Sequence, residues 1–164
     1  MAGYGDDSTF QAWLTENGYV LPGSAPTPAV LRNRGSQYID AVYGSRFVGS
    51  VVDPEQERQW PRDGAIVNGK AFPSGVVPTA VINASYYAAY QEAVKPGSLS
   101  VIGTSSSAVK RVKVGQIEKE YQTSNSDDGT AVAITPLISI VDGMLALYLR
   151  DLSQPSFGIW SIGC

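Results

Sequence analysis

Apolar residues recur with helical spacing in four places along this chain. Phe10, Trp13 and Leu14 stand at i, i+3 and i+4 and predict a first helix over about Ser8 to Asn17. Asp7 or Ser8 is placed to cap it, and Gly18 to end it in a left-handed conformation. A second helix starts at Thr27, with Pro28 at the first helical position, where a missing N–H does no harm. Leu31, Gly35, Tyr38, Ile39 and Val42 make its inner face and Gly44 its end. Arg32, Arg34 and Asp40 fall off that face, where charge is normally solvated. A third helix begins at Pro78 and runs to about Lys95. It is rich in alanine, and Val81, Ala84, Tyr87 and Ala88 are available for close packing. Small residues on several faces predict neighbours on more than one side, so this is the central helix. A fourth starts at Thr135-Pro136 and carries the stripe Leu137, Ile140, Val141, Met144, Leu145 and Tyr148. It should end near Leu149 or Arg150.

Between these helices the period changes. Leu99–Thr104 and Val109–Gln122 read as two strands around the serine tip Ser105–Ser107. Val112 and Val114 share one parity and Ile117 and Tyr121 the other, which predicts a bulge at Gly115. From Ser45 to Gly75 the chain is loop-rich, with Pro54, Pro61, Gly64, Gly69 and Pro73, and a loop of that length is usually functional or ordered by a partner. QWPRDG (Gln59–Gly64) lies at its centre. Pro61 holds Trp60 extended. Trp60 is then free to plug between the second and third helices or into a neighbouring subunit, with Arg62 paired to a carboxylate across the contact. An intramolecular corner is the other reading. The last stretch, Asp151–Cys164, is broken by Pro155 and Gly158 yet holds Phe157, Ile159, Trp160 and Ile162. Left in water it would be an apolar liability, so it expects a partner or its own core. The fold class expected is mainly α: a bundle of about four helices over residues 1–150 with one β-hairpin at about 99–122, and an extended arm over 151–164.

Composition narrows the chemistry. The 164 residues allow one domain, and a hydrophobic fraction of 43% is that of a globular chain. Charged residues are only 16%, the net charge is −3 and the pI about 4.8. That balance opposes non-specific binding to duplex DNA, which needs cations to displace counterions, but not a channel through which DNA slides. There is no histidine, and Cys164 is the single cysteine. Internal disulfides, histidine or cysteine metal sites and histidine-based catalysis are therefore excluded. The start MAGYGDDST has neither a basic nor an apolar run, so no signal peptide is expected, and no stretch is apolar enough to predict a membrane span. Glu118, Glu120 and the Asp127-Asp128-Gly129 turn lack a calcium-loop spacing and read as a solvated strand face and a loop. No phosphate-cradling glycine motif occurs. Serine catalysis would need a lysine partner, and nothing pairs the two. Neither an enzyme nor a cofactor nor a metal site is expected.

One constellation points to nucleic acid. Lys110, Arg111 and Lys113 put three positive charges within four residues of a strand, and Tyr86, Tyr87, Tyr90 and Tyr121 offer rings for base stacking. Tyr86 and Tyr90, at i and i+4, are equally suited to packing.

The order of parts resembles the tail-adaptor (head–tail connector) proteins of tailed bacteriophages. The resemblance rests on a helical first half, WPR (Trp60–Arg62) with Gly64 after it, the alanine-rich helix at Val77–Lys95, KVG (Lys113–Gly115) with Tyr121 downstream, and an apolar helix ending LYL (Leu147–Leu149). The stretches GYGDDSTFQAWLTENGY (Gly3–Tyr19) and RGSQYIDAVYGSRF (Arg34–Phe47) look like the phage subset labelled DnaT-like single-stranded-DNA-binding proteins. The resemblance implies a structural virion protein of the neck, made in the host cytoplasm, with no membrane association. It implies a homo-oligomeric ring, commonly of twelve copies, between a portal protein and the next neck or tail protein, with double-stranded DNA passing through it. Trp60, Pro61, Arg62, Phe157, Ile159, Trp160 and Ile162 would then serve subunit or portal contacts. The competing expectation is a single-stranded-DNA-binding replication protein using Lys110, Arg111 and Lys113.

Overall fold

The computed structural model describes residues 2–100, the backbone of two strands at 111–114 and 117–120, and residues 137–150. Among them the fold is mainly helical: α1 (Asp7–Glu16), α2 (Pro28–Tyr43), α3 (Thr79–Val94) and α4 (Ser139–Leu145). Three small antiparallel ribbons complete it: β1 (Ser50–Val51) with β2 (Arg62–Asp63), β3 (Ile66–Val67) with β4 (Lys70–Ala71), and β5 (Arg111–Val114) with β6 (Ile117–Glu120).

The cap of α1, predicted at Asp7 or Ser8, is Asp6. Asp6 accepts from the Thr9 N–H at 2.8 Å, and the Thr9 hydroxyl accepts from the Asp6 N–H at 3.2 Å, a reciprocal capping box. Gly18, at φ +68°, turns the chain away as expected. Phe10, Trp13 and Leu14 are buried against Leu31 of α2 and Tyr86, Ala89 and Ala93 of α3. Thr27 makes no side-chain cap at α2, so Pro28 alone marks its start. Gly44 is right-handed, and the chain tightens into a 3-10 turn over Gly44–Arg46 instead of stopping there.

α3 is the central helix. It buries Val81, Ala84, Ser85, Tyr86, Ala88, Ala89, Glu92 and Ala93, and its faces serve two packed clusters. One cluster holds α1; the other holds the far half of α2, α4 and the segment around Phe47, Trp60 and Ala65. The small residues matter at the α2–α3 crossing. A Cβ on Gly35 would lie 2.2 Å from the Ser85 carbonyl oxygen and 2.8 Å from the Ala89 nitrogen. Only glycine lets the two backbones approach so closely.

The 45–75 region is short ribbons rather than open loop. Asn68 (φ +51°) and Gly69 (φ +72°) close the β3–β4 hairpin, the left-handed pair that two-residue hairpins demand. The stretch read as one strand from Val109 to Gln122 is itself a hairpin: Val114 pairs with Ile117 and Arg111 with Glu120. The parity break read as a bulge at Gly115 is therefore a reversal of the chain. Gly115, the serine tip and residues 101–104 lie outside the described residues, and Leu99 is no strand. α4 is shorter than its stripe predicts, beginning at Ser139 and continuing as a 3-10 turn over Ala146–Tyr148. Its predicted start at Thr135-Pro136 lies outside the described residues.

Candidate nucleic-acid interface

Among the described residues, the segment that seemed most suited to a partner serves its own chain. Trp60 is 2% exposed. Its ring meets Phe47, Phe72 and Tyr148 edge-on, with centroids 5.7, 5.7 and 6.0 Å away. The Trp60–Pro61 peptide is cis. Arg62 is also buried, but pairs with no carboxylate. Its guanidinium donates to the carbonyls of Val48 (2.9 Å), Gly49 (2.9 Å) and Gln59 (3.1 Å), closing the base of the β1–β2 ribbon. Burial lowers its pKa. Of the two readings of QWPRDG, the structure shows the intramolecular corner.

The charges of α2 depart from a solvated face because residues 2–6 lie across them. Arg32 donates to the carbonyls of Gly3, Tyr4 and Gly5 and to Asp7, the last at 2.7 Å. Ser36 accepts from the Tyr4 N–H at 2.8 Å. The Tyr4 hydroxyl donates to Asp40 at 2.5 Å and accepts from the Trp60 N–H. Arg58 donates to Asp40 at 3.2 Å, to the Ala2 carbonyl at 2.9 Å and to Asn33. Burial raises the Asp40 carboxyl above its ordinary range despite these donors, and raises the Tyr4 phenol further. The sequence held only one signal of this network, that Arg32 and Asp40 flank the buried Leu31 and Ile39. Arg34 alone fits the solvated reading, half exposed, with its guanidinium on Glu92 at 3.2 Å. A depression of about 360 Å³ beside that pair is bounded by Gln37, Tyr38 and Leu99.

Three of the four rings proposed for stacking, Tyr86, Tyr87 and Tyr90, are already packed on protein. Tyr86 is buried, tilted against Phe10 at 5.1 Å, and its hydroxyl lies 2.6 Å from that of Thr9. Tyr90 lies parallel on Tyr19 at 4.4 Å, and Tyr87 meets Trp13 edge-on. Tyr121 and Lys110 lie outside the described residues. Arg111 and Lys113 stand in β5, where the register sets them opposite Glu120 and Glu118. Each cation of the strand thus faces a carboxylate position. Phe157, Ile159, Trp160 and Ile162 lie outside the described residues. No group of residues able to hold a metal ion occurs among those described, and no described helix is long and apolar enough to cross a membrane.

Comparison with known proteins gives one match. A family model described as "Putative DnaT-like ssDNA binding protein" covers residues 3–160. No curated protein and no solved structure matches the chain.

Proposed function

The chain belongs to this DnaT-like family, and on that premise we propose that it binds single-stranded DNA without turnover, through the Lys110–Lys113 stretch at β5. The placement of cations carries the reading. Of twelve lysines and arginines, Lys110, Arg111, Lys113 and Lys119 fall in or beside the β5–β6 hairpin. In the helical body Arg32, Arg58 and Arg62 are committed to internal carbonyls and carboxylates. The body's surface carries exposed Glu16, Asp53, Glu55, Glu57 and Asp63, which repel phosphate, beside the scattered exposed cations Arg34, Lys70, Lys95 and Arg150. With Tyr86, Tyr87 and Tyr90 packed on protein, contact is made chiefly to the DNA backbone, and the facing glutamates keep it weak and salt-sensitive. About three phosphate contacts give a slope of roughly −2 for log K against log salt on a single strand.

The test is anisotropy of a labelled oligo-dT across a salt series. Replacing Lys110, Arg111 and Lys113 together with serine should remove binding and leave the far-UV spectrum unchanged. Equal binding by that variant, or none by the natural chain at low salt, would retire this reading.

A second reading, the neck connector, is supported by exposed apolar side chains on and beside α4, namely Leu137, Ile140 and Leu147, in a chain of low charge. Electron microscopy of the protein mixed with portal rings separates the two. Under the connector reading a ring stacks on the portal, and deletion of residues 151–164 abolishes attachment.

A further inference from the structure

Arg34, Gln37 and Ala41 stand at i, i+3 and i+7 on the exposed side of α2. Glu92, buried near the end of α3, ties that side to the chain beyond it. Its Oε1 accepts from the Arg34 guanidinium at 3.2 Å and its Oε2 from the Gly97 N–H at 3.0 Å. Gly97 (φ +82°) turns the chain back after α3, and Leu99 packs against the core. Helix, turn and returning segment enclose the depression of about 360 Å³, with Tyr38, Ala41 and Leu99 as its apolar wall. That volume lies at the lower end of the range for small-molecule pockets, about 300–1,000 Å³, so the occupant is one small group.

The rim defines the chemistry of that group. Arg34 has five N–H donors, and the bond from Nη1 to Glu92 leaves its Nε–Nη2 edge for a pair of acceptors. The Arg34 side chain is 47% exposed, so a ligand can reach it. The exposed Gln37 amide adds a donor and an acceptor. Glu92 offsets the charge of Arg34, so an anion gains little there and meets a carboxylate. A neutral heterocycle, with acceptors on its edge and flat apolar faces, suits both the rim and the wall. Guanine presents such an edge in O6 and N7, the pair that arginine takes bidentately.

We propose that the depression takes one unstacked guanine base of a single strand, with Arg34 across O6 and N7 and the ring against the wall of Tyr38, Ala41 and Leu99. This site rests on the single-stranded-DNA reading and adds a base preference that backbone contacts cannot supply. Ser100, on the rim, precedes Lys110 by ten residues, at most about 35 Å of chain, so one oligonucleotide reaches both places.

Two labelled oligonucleotides test the site by anisotropy on the full chain: one all thymine, the other the same with a single central guanine. The guanine should tighten binding about fivefold to tenfold, the discrimination of one partly exposed bidentate pair. Arg34→Met and Ala41→Trp, both at exposed positions of α2, should bind the two alike, the second by filling the depression. Equal measurable affinity of the natural chain for both would overturn the proposal, as would a preference that survives both substitutions. A second measurement separates the pocket from strand binding. Millimolar dGMP added to isotope-labelled chain should shift the amide signals of Gln37, Ala41 and Ser100. It should do so equally when Lys110, Arg111 and Lys113 are replaced with serine. If no oligonucleotide binds, those shifts would uphold the guanine site while the strand reading falls. No shift, or the same shifts with dTMP or inorganic phosphate, would overturn the site.

Discussion

Replacing Gly35 with alanine probes the α2–α3 crossing on which both packed clusters depend. The added methyl would lie 2.2 Å from the Ser85 carbonyl oxygen, 2.8 Å from the Ala89 nitrogen and 3.0 Å from the Ala89 Cβ. Two of these atoms are helix backbone and cannot turn aside as a side chain would. Restoring ordinary contact requires α2 and α3 to part by roughly 1 Å, a gap that forfeits a quarter to a half of the dispersion energy between the surfaces it opens. Overpacking of this kind costs about 3 kcal/mol, the upper end of its usual range. Alanine in place of a helical glycine returns about 1 kcal/mol. The expected net loss is about 2 kcal/mol, which for a chain of this size lowers the midpoint of thermal unfolding by about 4–8 °C. Gly143 in α4 is the matched control, because a Cβ there meets nothing within 4 Å. Gly143→Ala should raise the midpoint, through helix propensity alone. Far-UV circular dichroism on both variants reads the comparison. A Gly35→Ala chain as stable as the Gly143→Ala chain would refute the argument.

Three further predictions concern the buried polar groups. Burial raises the phenols of Tyr4, Tyr38 and Tyr43, so above about pH 10 the unfolded chain releases protons that the folded chain retains, and stability falls as pH rises through that region. Asp40 is also raised, so its contribution declines as pH rises from 3.8 toward its folded-state value, and Asp40→Asn should flatten that limb in urea titrations at stepped pH; an unchanged limb would remove Asp40 as its source. The Trp60 indole N–H is buried with no partner among the described residues, so Trp60→Phe gives up ring volume but also relieves about 1–3 kcal/mol of desolvation. Its net cost should stay below about 2 kcal/mol, against about 3–5 kcal/mol for Trp60→Ala. Equal costs in urea unfolding would show the indole N–H to be an essential donor.

The candidate site was less legible in the sequence than the fold. The KRVK stretch is visible as composition, but its weight depends on what faces it, and only the β5–β6 register sets Glu118 and Glu120 opposite Lys113 and Arg111. A bulge and a hairpin turn both shift strand parity by one, so the break at Gly115 could be seen and its kind could not. Tyr86 and Tyr90 at i and i+4 suit a stacking platform as well as a core. The presence of α1 and Tyr19 over them decides the matter.

What the sequence determined by itself was local. Periodicity placed the four helices, Pro28 and Pro78 marked the starts of α2 and α3, Gly18 marked a stop, and the alanines of α3 announced a helix with neighbours on several sides. These features depend on residues a few positions apart, whose contacts a helix guarantees. Tertiary structure alone decided which surfaces remain free. Arg32, Asp40 and Arg58 look like solvent-facing charges until residues 2–6 and the Trp60 corner close over them. Trp60 looks like an anchor for another molecule until Phe47, Phe72 and Tyr148 arrive from distant positions to surround it. The reason is physical: burial depends on which segments meet across the chain, and that meeting has no signature in the spacing of any one of them.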